Sequence, residues 1–365
     1  MFVPPASHRS GTAESVVPII SAERRTMREP GSVIVGIDNG GTKNNVTVLD
    51  EAGRFLIDRM VEVPSRVTEG TDAALDALAA AFDSGLQITG VERGDVRAVG
   101  LDTPGPASAE GVISSKGATN FALPEWWGFD VRDALEERLG IPVVYSNDGN
   151  AAALYAHYAY FGEKSIRRSS VSAIVGTGLG GGVIEAGGVV RGAAGMAGEL
   201  GHVHIPMHGL LGDGQPMPRC NCGFVGDVES VASLTGIRRN LLPYWLTQYP
   251  DHELASKPID EAAKELRAFG ERGDEMARKV FAQQAMAIGR LFTIAANFTD
   301  PSAYFVGGGV VEAAPEFRDW YLSTVRTNTQ LRDEQIDVAE FSLVPDLDMA
   351  GARGAAVAAR SAFPT

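Results

Sequence analysis

The sequence predicts an α/β protein made of two similar lobes with a cleft between them. Short runs rich in β-branched residues alternate with longer Ala- and Leu-rich runs, a pattern typical of strands followed by helices. The order strand, glycine-rich turn, strand occurs twice, in "SVIVGIDNGGTKNNVTVL" and in "SSVSAIVGTGLGGGVIEAGGVV". This internal similarity indicates that one module has been duplicated.

The first lobe is predicted to span residues 32–146. It opens with an antiparallel meander of three strands, in "SVIVGID", "NNVTVLD" and "FLIDRMVEV", with "DEAG" as the turn between the last two. The Ala- and Leu-rich run 71–84 predicts a helix, and "VRAVGLDTPGP" a strand that enters a Pro/Gly loop. A helix over 131–139 and the strand "IPVVYSND" complete this lobe.

The second lobe is predicted to span residues 147–348 and to contain a zinc-binding loop. A buried helix in "NAAALYAHYAYFG" precedes the two strands of the repeated module. Helices are then predicted over 258–270 and 274–297, a strand in "SAYFVGGG", and a helix over 315–330. We expect the Ala-rich final helix, 349–362, to pack back on the first lobe.

Composition narrows the class of protein. The 365 residues are 44% hydrophobic and 21% charged, which is typical of a soluble globular protein. The net charge of −14 argues against a nucleic-acid partner, and no run of about 18 apolar residues indicates a membrane span. Two cysteines favour a cytoplasmic protein. Residues 1–31 lack the apolar core of a signal peptide, and we expect a disordered extension.

Three glycine clusters stand at predicted strand ends. Adjacent backbone N–H groups in such turns can bind an anion, although an ordinary hairpin turn explains each cluster taken alone. The acid Asp38 beside an anion requires a cation between them, and Mg²⁺ with phosphate is the natural candidate. Two turns, one in each half, could hold one polyphosphate across the cleft. The predicted ATP- and Mg²⁺-binding residues are Asp38, Gly40, Gly41, Thr42, Lys43, Gly176, Thr177, Gly178, Gly180, Gly308 and Gly309.

This layout resembles the duplicated actin-like ATPase (ribonuclease H-like) fold, in which two α/β lobes hold ATP between them. A more specific resemblance lies between Val175 and His202, where "VGTGLGGGV", eight residues, "G", five residues and "GELGH" match the signature of the ROK family of repressors and sugar kinases. "DNGGTK", "TPGP", "LPEWWG" and "NDGNAAA" follow the family's order as well. The resemblance covers residues 33–360 and implies a glucokinase-like enzyme that phosphorylates a hexose with ATP.

The resemblance also implies roles for individual residues. Asp148 would be the general base that accepts the proton of the sugar 6-hydroxyl. Without the resemblance, Asn147 and Asp148 would be read as the cap of the following helix. Asp102 is a rival acid, otherwise interpreted as a turn-former. The residues implied to bind substrate are Asn120, Asn147, Asp148, Glu199, His202 and Glu229.

The two cysteines resemble part of the family's zinc motif, C-x-C-G-x-x-G-C-x-E, which binds zinc together with an upstream histidine. This sequence has Cys220, Cys222 and Glu229 in place, with Asp227 where the third cysteine would stand. Zinc accepts a carboxylate oxygen, so the resemblance implies a structural zinc site of His202, Cys220, Cys222 and Asp227, with lower affinity than a three-cysteine site. A metal-free turn, or His204 or His208 as a ligand, stays open. A disulfide would close a strained ring and is not expected.

The sequence is consistent with several functions. The leading expectation is a sugar kinase with glucose as the default substrate. An N-acetylhexosamine, an amino sugar or a sugar-like cyclitol is the alternative substrate, and polyphosphate the alternative donor. A sugar-responsive regulator of the same family is the rival class, and the acidic composition and the missing helix-turn-helix pattern count against it. The resemblance further implies a homodimer.

Overall fold

The computed structural model describes residues 32–114 and 120–364, so the predicted extension over 1–31 lies outside the described residues. Two five-stranded mixed sheets form the framework. The strands of the first are β1 (Val33–Asn39), β2 (Lys43–Leu49), β3 (Glu62–Pro64), β4 (Val96–Thr103) and β5 (Val143–Asn147). Those of the second are β6 (Ser170–Val175), β7 (Leu179–Glu185), β8 (Gly188–Val189), β9 (Ala303–Gly308) and β10 (Glu340–Leu343).

The two sheets have the same topology. The strand order is β3-β2-β1-β4-β5 in the first sheet and β10-β9-β6-β7-β8 in the second, which is the same order read from the opposite end. In each, three antiparallel strands are extended by two parallel strands. The predicted duplicated α/β fold is therefore confirmed.

Helices cover the sheets and connect their strands. They are α1 (Thr71–Thr89), α2 (Val131–Leu139), α3 (Asp148–Phe161), α4 (Glu229–Ala232), α5 (Leu234–Gly236), α6 (Leu242–Gln248), α7 (Ile259–Glu271), α8 (Glu275–Thr299), α9 (Pro315–Thr327), α10 (Asp333–Ile336) and α11 (Leu347–Ala362). Among the described residues, none of these helices has the length and apolar composition that a transmembrane segment needs.

Two local differences from the sequence-based expectation have physical reasons. The strand expected over 55–63 is reduced to β3 and a single bridge at Phe55, because Asp58, Arg59 and Met60 are exposed and interrupt the alternation of buried side chains. Helix α1 runs to Thr89, five residues beyond the expected end, where Gly90 in the left-handed conformation terminates it.

Helices α3 and α11 lie between the two sheets and pack against each other. Their backbones approach so closely that a Cβ atom on Gly354 would lie 1.8 Å from the Ala151 carbonyl oxygen. Helix α11 approaches the first sheet in the same way, since a Cβ on Gly100 of β4 would lie 1.9 Å from the Ala355 carbonyl oxygen. Helix α3 packs on β7 of the second sheet. The helix pair thereby sets the position of one sheet relative to the other.

We predict that Gly354→Ala lowers the free energy of unfolding by at least about 2 kcal/mol, although alanine favours a helix over glycine by about 1 kcal/mol. The reason is that both clashing groups are backbone and cannot rotate away. Gly94→Ala is the control, because nothing lies within 4 Å of a Cβ built there. Chemical denaturation of the three proteins tests this, and equal stability of the Gly354 variant and the parent would show that the helices do not need this close contact.

Candidate functional site

The end of β5 and the start of α3 present Asn147 and Asp148. The Asn147 Oδ1 atom accepts hydrogen bonds from the backbone N–H groups of Gly149 at 3.0 Å and Asn150 at 3.4 Å, so Asn147 is the N-cap of α3. Asp148 is the first residue of the helix, and its Oδ1 accepts the Gly149 N–H at 2.7 Å. Its side chain is nonetheless exposed to solvent. Asp148 is therefore held in place by the backbone while a molecule in the cleft can reach it.

Two further acids lie at the ends of two parallel strands. Asp38 of β1 is in register with Asp102 of β4. Both approach Gly351 of α11, where a Cβ atom would lie 2.9 Å from an Asp38 oxygen and 3.1 Å from an Asp102 oxygen. Asp102 is fully buried within β4, so its interpretation as a turn residue is wrong. Its two carboxyl oxygens have no hydrogen-bond donor among the protein groups that the structure describes.

The acids influence one another's protonation. Burial raises the pKa of Asp102 well above its usual range, and the carboxylates of Asp38 and Asp148 add to the shift. Burial also raises the pKa of Asp38, opposed by the neighbouring Asp102 carboxyl group, which can donate to the Asp38 carboxylate when it is protonated. The pKa of Asp148 is raised to about 6, chiefly because the surrounding protein displaces water, with further contributions from Asp38 and Glu199. Part of the Asp148 side chain still reaches solvent, and at neutral pH the group is mostly ionised, so its carboxylate is available as a base.

The first glycine hairpin joins β1 to β2. Its turn is closed by the Gly40 N–H, which donates to the Lys43 carbonyl at 2.9 Å. Asn120 packs against it, since a Cβ on Gly41 would lie 2.5 Å from the Asn120 Oδ1 atom. Thr42 and Lys43 are exposed, and the Lys43 ammonium forms an ion pair with Glu62 of β3. A phosphate at this turn would thus meet backbone N–H groups and an ammonium that already has an acidic partner.

The second and third glycine clusters meet at the end of the second sheet. Gly308 has a φ of 104°, and a Cβ on it would lie 1.8 Å from the Val175 carbonyl oxygen, so only glycine fits there. Gly176, Thr177 and Gly309 line one cavity of about 650 Å³. Gly180 is not part of the lining of this cavity, and a Cβ on it would lie 3.6 Å from the Cα of Gly149 at the start of α3.

Most of this cavity is formed by residues that the sequence motifs did not indicate. Apolar side chains from the helices between Leu234 and Phe317 form its walls. Arg238 and Asp260 form an ion pair at 3.1 Å in its lining, Arg267 is paired with Glu312 at 3.2 Å, and Lys264 adds positive charge. No short motif marks these positions, and only the helical spacing of apolar residues in α7 would have indicated a buried wall.

Glu199, His202 and Glu229 come together beside the second hairpin. The Glu229 Oε2 atom accepts the Leu179 N–H of β7 at 2.8 Å. Gly178 and Gly201 make room for Glu229, because a Cβ on Gly178 would lie 2.6 Å from Oε2, and one on Gly201 3.4 Å from it. Burial raises the pKa of Glu199, opposed by His202 and reinforced by Glu229. Carboxylates and an imidazole together provide donors and acceptors that suit a polyhydroxylated ligand.

Next to Glu229 lies a group of four side chains with metal-binding atoms. The donor atoms of His202, Cys220, Cys222 and Asp227 all lie within 4.8 Å of one another. The His202 Nδ1 atom is 3.4 Å from Asp227 Oδ2 and 3.6 Å from Cys222 Sγ, and Cys222 Sγ is 3.9 Å from Asp227 Oδ2. Adjacent ligands of a tetrahedral zinc ion are about 3.3–3.8 Å apart. The three measured pairs lie within or close to this range, and the residue types are ones that zinc accepts.

Two hydrogen bonds connect the metal-binding group with its surroundings. The fully buried Asp227 uses Oδ1 to accept the Ser230 N–H at 3.0 Å, which leaves Oδ2 toward His202 and Cys222. The partly buried Cys220 thiol donates to Glu229 Oε1 at 3.2 Å. The group thus adjoins the carboxylate that holds the second hairpin. His204 and His208 are not members of the group among the described residues.

The chain is similar to known proteins of one family. The ROK family model matches residues 34 to 362. A glucokinase of Halalkalibacterium halodurans is 32% identical over 76% of this chain and 81% of its own length. An N-acetyl-D-glucosamine kinase of Citrobacter koseri is 30% identical over 75% of this chain and 83% of its own length.

A solved structure is similar over nearly the whole described chain. A ROK family glucokinase from Streptomyces griseus, crystallised with glucose and AMPPNP, has a TM-score of 0.65 and 29% identity. The match covers 90% of this chain and 99% of that one.

Proposed function

The chain belongs to the ROK family, and we propose that it is an ATP-dependent sugar kinase that transfers the γ-phosphate of ATP to the 6-hydroxyl of a hexose. Glucose is the default substrate, supported by the similarity to glucokinases. The observation that carries the proposal is the position of Asp148. This carboxylate is open to solvent and has a pKa of about 6. On one side of Asp148 lies Asp38 of the first hairpin, whose carboxylate raises the pKa of Asp148. On the other side lies the second hairpin, which contacts Gly149.

Asp148 would act as the general base. A base must lie within about 3 Å of the proton that it accepts, and this carboxylate is fixed at the helix start where a hydroxyl in the cleft can reach it. Phosphoryl transfer itself depends mainly on alignment and on stabilisation of charge. The residues around Asp148 would therefore contribute by orienting the two substrates rather than by further proton transfer.

ATP with Mg²⁺ is the proposed phosphate donor. The cavity beside Gly176 and Gly309 has apolar walls that suit a nucleoside and basic side chains that suit its phosphates. Asp38 would face the Mg²⁺-bound phosphates across the cleft. Polyphosphate has no apolar part, so an apolar cavity at this place favours a nucleotide over polyphosphate.

Asn120, Asn147, Glu199, His202 and Glu229 are the proposed sugar-binding residues. With its Oδ1 on the helix N-terminus, Asn147 keeps its amide N–H₂ for a ligand. An N-acetylhexosamine is the second candidate substrate, because relatives named N-acetyl-D-glucosamine kinase are 30–31% identical to this chain. An amino sugar or a cyclitol also stays a candidate. A regulator is the rival class, and dimer formation and a cytoplasmic location stay predictions.

Zinc is the proposed occupant of the group of His202, Cys220, Cys222 and Asp227. The spacing of the donor atoms fits this ion, and it would be structural because all four places are taken by protein ligands. Cys220 adjoins the proposed sugar-binding residue Glu229, and His202 adjoins Glu199. A metal ion bound by Cys220 and His202 would therefore help to hold these two carboxylates in position.

We predict that Asp148→Asn lowers kcat by about two to four orders of magnitude, since the amide cannot accept the proton. Sugar binding should stay within about tenfold of the parent, because the amide keeps the size of the side chain. Asp319→Asn is the control, as Asp319 is exposed on α9. An assay of ADP release and calorimetric titration with sugar measure the two effects, and substantial turnover by Asp148→Asn would rule out Asp148 as the base.

The pH profile should have an acidic limb near pH 6. Asp148 accepts a proton only when it is ionised, and its pKa is raised to about 6, so kcat/KM should be constant above that pH and fall about tenfold per unit below it. Glu199→Gln should shift the limb to lower pH, since it removes a negative charge that raises the Asp148 pKa. A limb near pH 4 in the parent would show that the pKa of the base is not raised and would contradict the expected environment of Asp148.

We predict that Cys220→Ser lowers both the zinc content and the melting temperature of the purified protein. The hydroxyl is a poorer zinc ligand than a thiolate. His208→Gln in the same loop is the matched control and should keep its zinc, because His208 lies outside the group. Elemental analysis and thermal denaturation test the prediction, and no change in either quantity would favour a turn held by packing alone.

A further inference from the structure

The loop formed by residues 190–198 joins the two lobes, and we name it the bridging loop. It leaves the second sheet after β8 and is closed on itself by the Ala197 N–H, which donates to the Arg191 carbonyl at 3.1 Å. It returns to the second sheet at Gly198, where a Cβ atom would lie 3.2 Å from Asn150 Oδ1 and 3.4 Å from the Gly182 Cα. The next residue along the chain is Glu199.

The far side of the bridging loop contacts the first lobe at two points. The Arg191 Nη1 atom donates to the carbonyl oxygens of Ala109 and Tyr145, each at 3.3 Å. Gly195 lies so close to the first lobe that a Cβ on it would be 2.6 Å from the Ala109 nitrogen. Both contacts are with backbone atoms, so they depend on the position of the first lobe and not on a particular side chain.

The Tyr145 carbonyl links Arg191 to the proposed base. Tyr145 belongs to β5, the edge strand of the first sheet, and stands three residues before Asp148. Arg191 therefore binds the strand that presents Asn147 and Asp148. At its other end the bridging loop runs directly into Glu199. One loop thus connects the proposed base on one side of the cleft with a proposed sugar-binding carboxylate on the other.

We propose that Arg191 is a positioning residue, which holds the strand that ends at Asp148 at a defined distance from Glu199 while the sugar lies between them. The proposal rests on the proposed function, because it assigns Arg191 to the sugar side of the same reaction. Hydrogen bonds from a charged guanidinium are stronger than those between neutral groups. The half-buried Arg191 guanidinium makes two of them, to backbone carbonyls, and forms no ion pair among the described residues. We therefore assign Arg191 to the contact between the two lobes and not to the binding of phosphate.

The test replaces the donor and leaves the proposed catalytic residues in place. Arg191→Met keeps the length of the side chain and removes its hydrogen bonds, and Arg191→Lys keeps a cationic donor. Arg167→Met is the matched control, because Arg167 is exposed and its side chain makes no hydrogen bond or ion pair among the described residues. Gly195→Ala disturbs the same contact from the second point, so it serves if Arg191→Met does not fold.

We expect Arg191→Met to lower kcat/KM for the sugar by about tenfold to hundredfold, mainly through a higher KM for the sugar. The KM for MgATP at saturating sugar should stay within about threefold. Arg191→Lys should recover part of the loss, and Gly195→Ala should show the same split between the two KM values. The shift of the melting temperature caused by sugar should also be smaller in Arg191→Met than in Arg167→Met.

A purely structural role would give a different result. In that case Arg191→Met would lower the melting temperature without changing the ratio of the two KM values, and this outcome would overturn the proposal. Parental kcat/KM in both Arg191→Met and Gly195→Ala would overturn it as well. If the parent protein phosphorylates no sugar, the proposed function fails first, which is distinguishable because the variants are then compared with an inactive parent.

Discussion

The close backbone contact between α3 and α11 is the constraint on which the rest of the structure depends. Glycines at Gly354 and Gly100 let α11 lie against α3 and the first sheet at distances that no side chain would permit. The two sheets, which share one topology, are thereby held with their glycine hairpins on either side of the start of α3. Asp148 stands at that start, so its position depends on the packing of the helices as much as on the residues around it.

The second organising feature is the concentration of negative charge in the cleft. Asp38, Asp102, Asp148 and Glu199 all have raised pKa values, because the surrounding protein displaces water from each of them and each lies near another carboxylate. Such a site favours a ligand that brings cations, and MgATP does so. A neutral sugar adds no charge, and its hydroxyl groups can donate to the carboxylates. Of these acids, Asp148 and Glu199 are open to solvent, and only Asp148 begins an α-helix, which is consistent with its proposed role.

Local patterns in the sequence predicted the repeated hairpins, α3 and the group around Cys220 and Cys222, because each of these depends on residues close together in the chain. Features that depend on distant contacts were not predictable. The walls of the cavity beside Gly176 and Gly309, the burial of Asp102 and the hydrogen bond from Leu179 to Glu229 each depend on residues far apart in the sequence. The contact of Gly180 with Gly149 was not predictable either, since a glycine cluster does not reveal which of its members approach another backbone. The role of Arg191 was not predictable, because its partners are backbone carbonyls, which every residue has. The roles of the individual site residues stay predictions.

The central claim is that this protein phosphorylates a sugar with ATP. The most direct measurement is ADP release by the purified protein with ATP and Mg²⁺ against a panel of hexoses, N-acetylhexosamines and cyclitols, with identification of the phosphorylated product. We expect turnover on one class of sugar, glucose first, with a low KM and phosphate on the 6-hydroxyl. No turnover on any member of the panel, together with thermal-shift evidence that a sugar binds, would contradict the claim and indicate a binding protein.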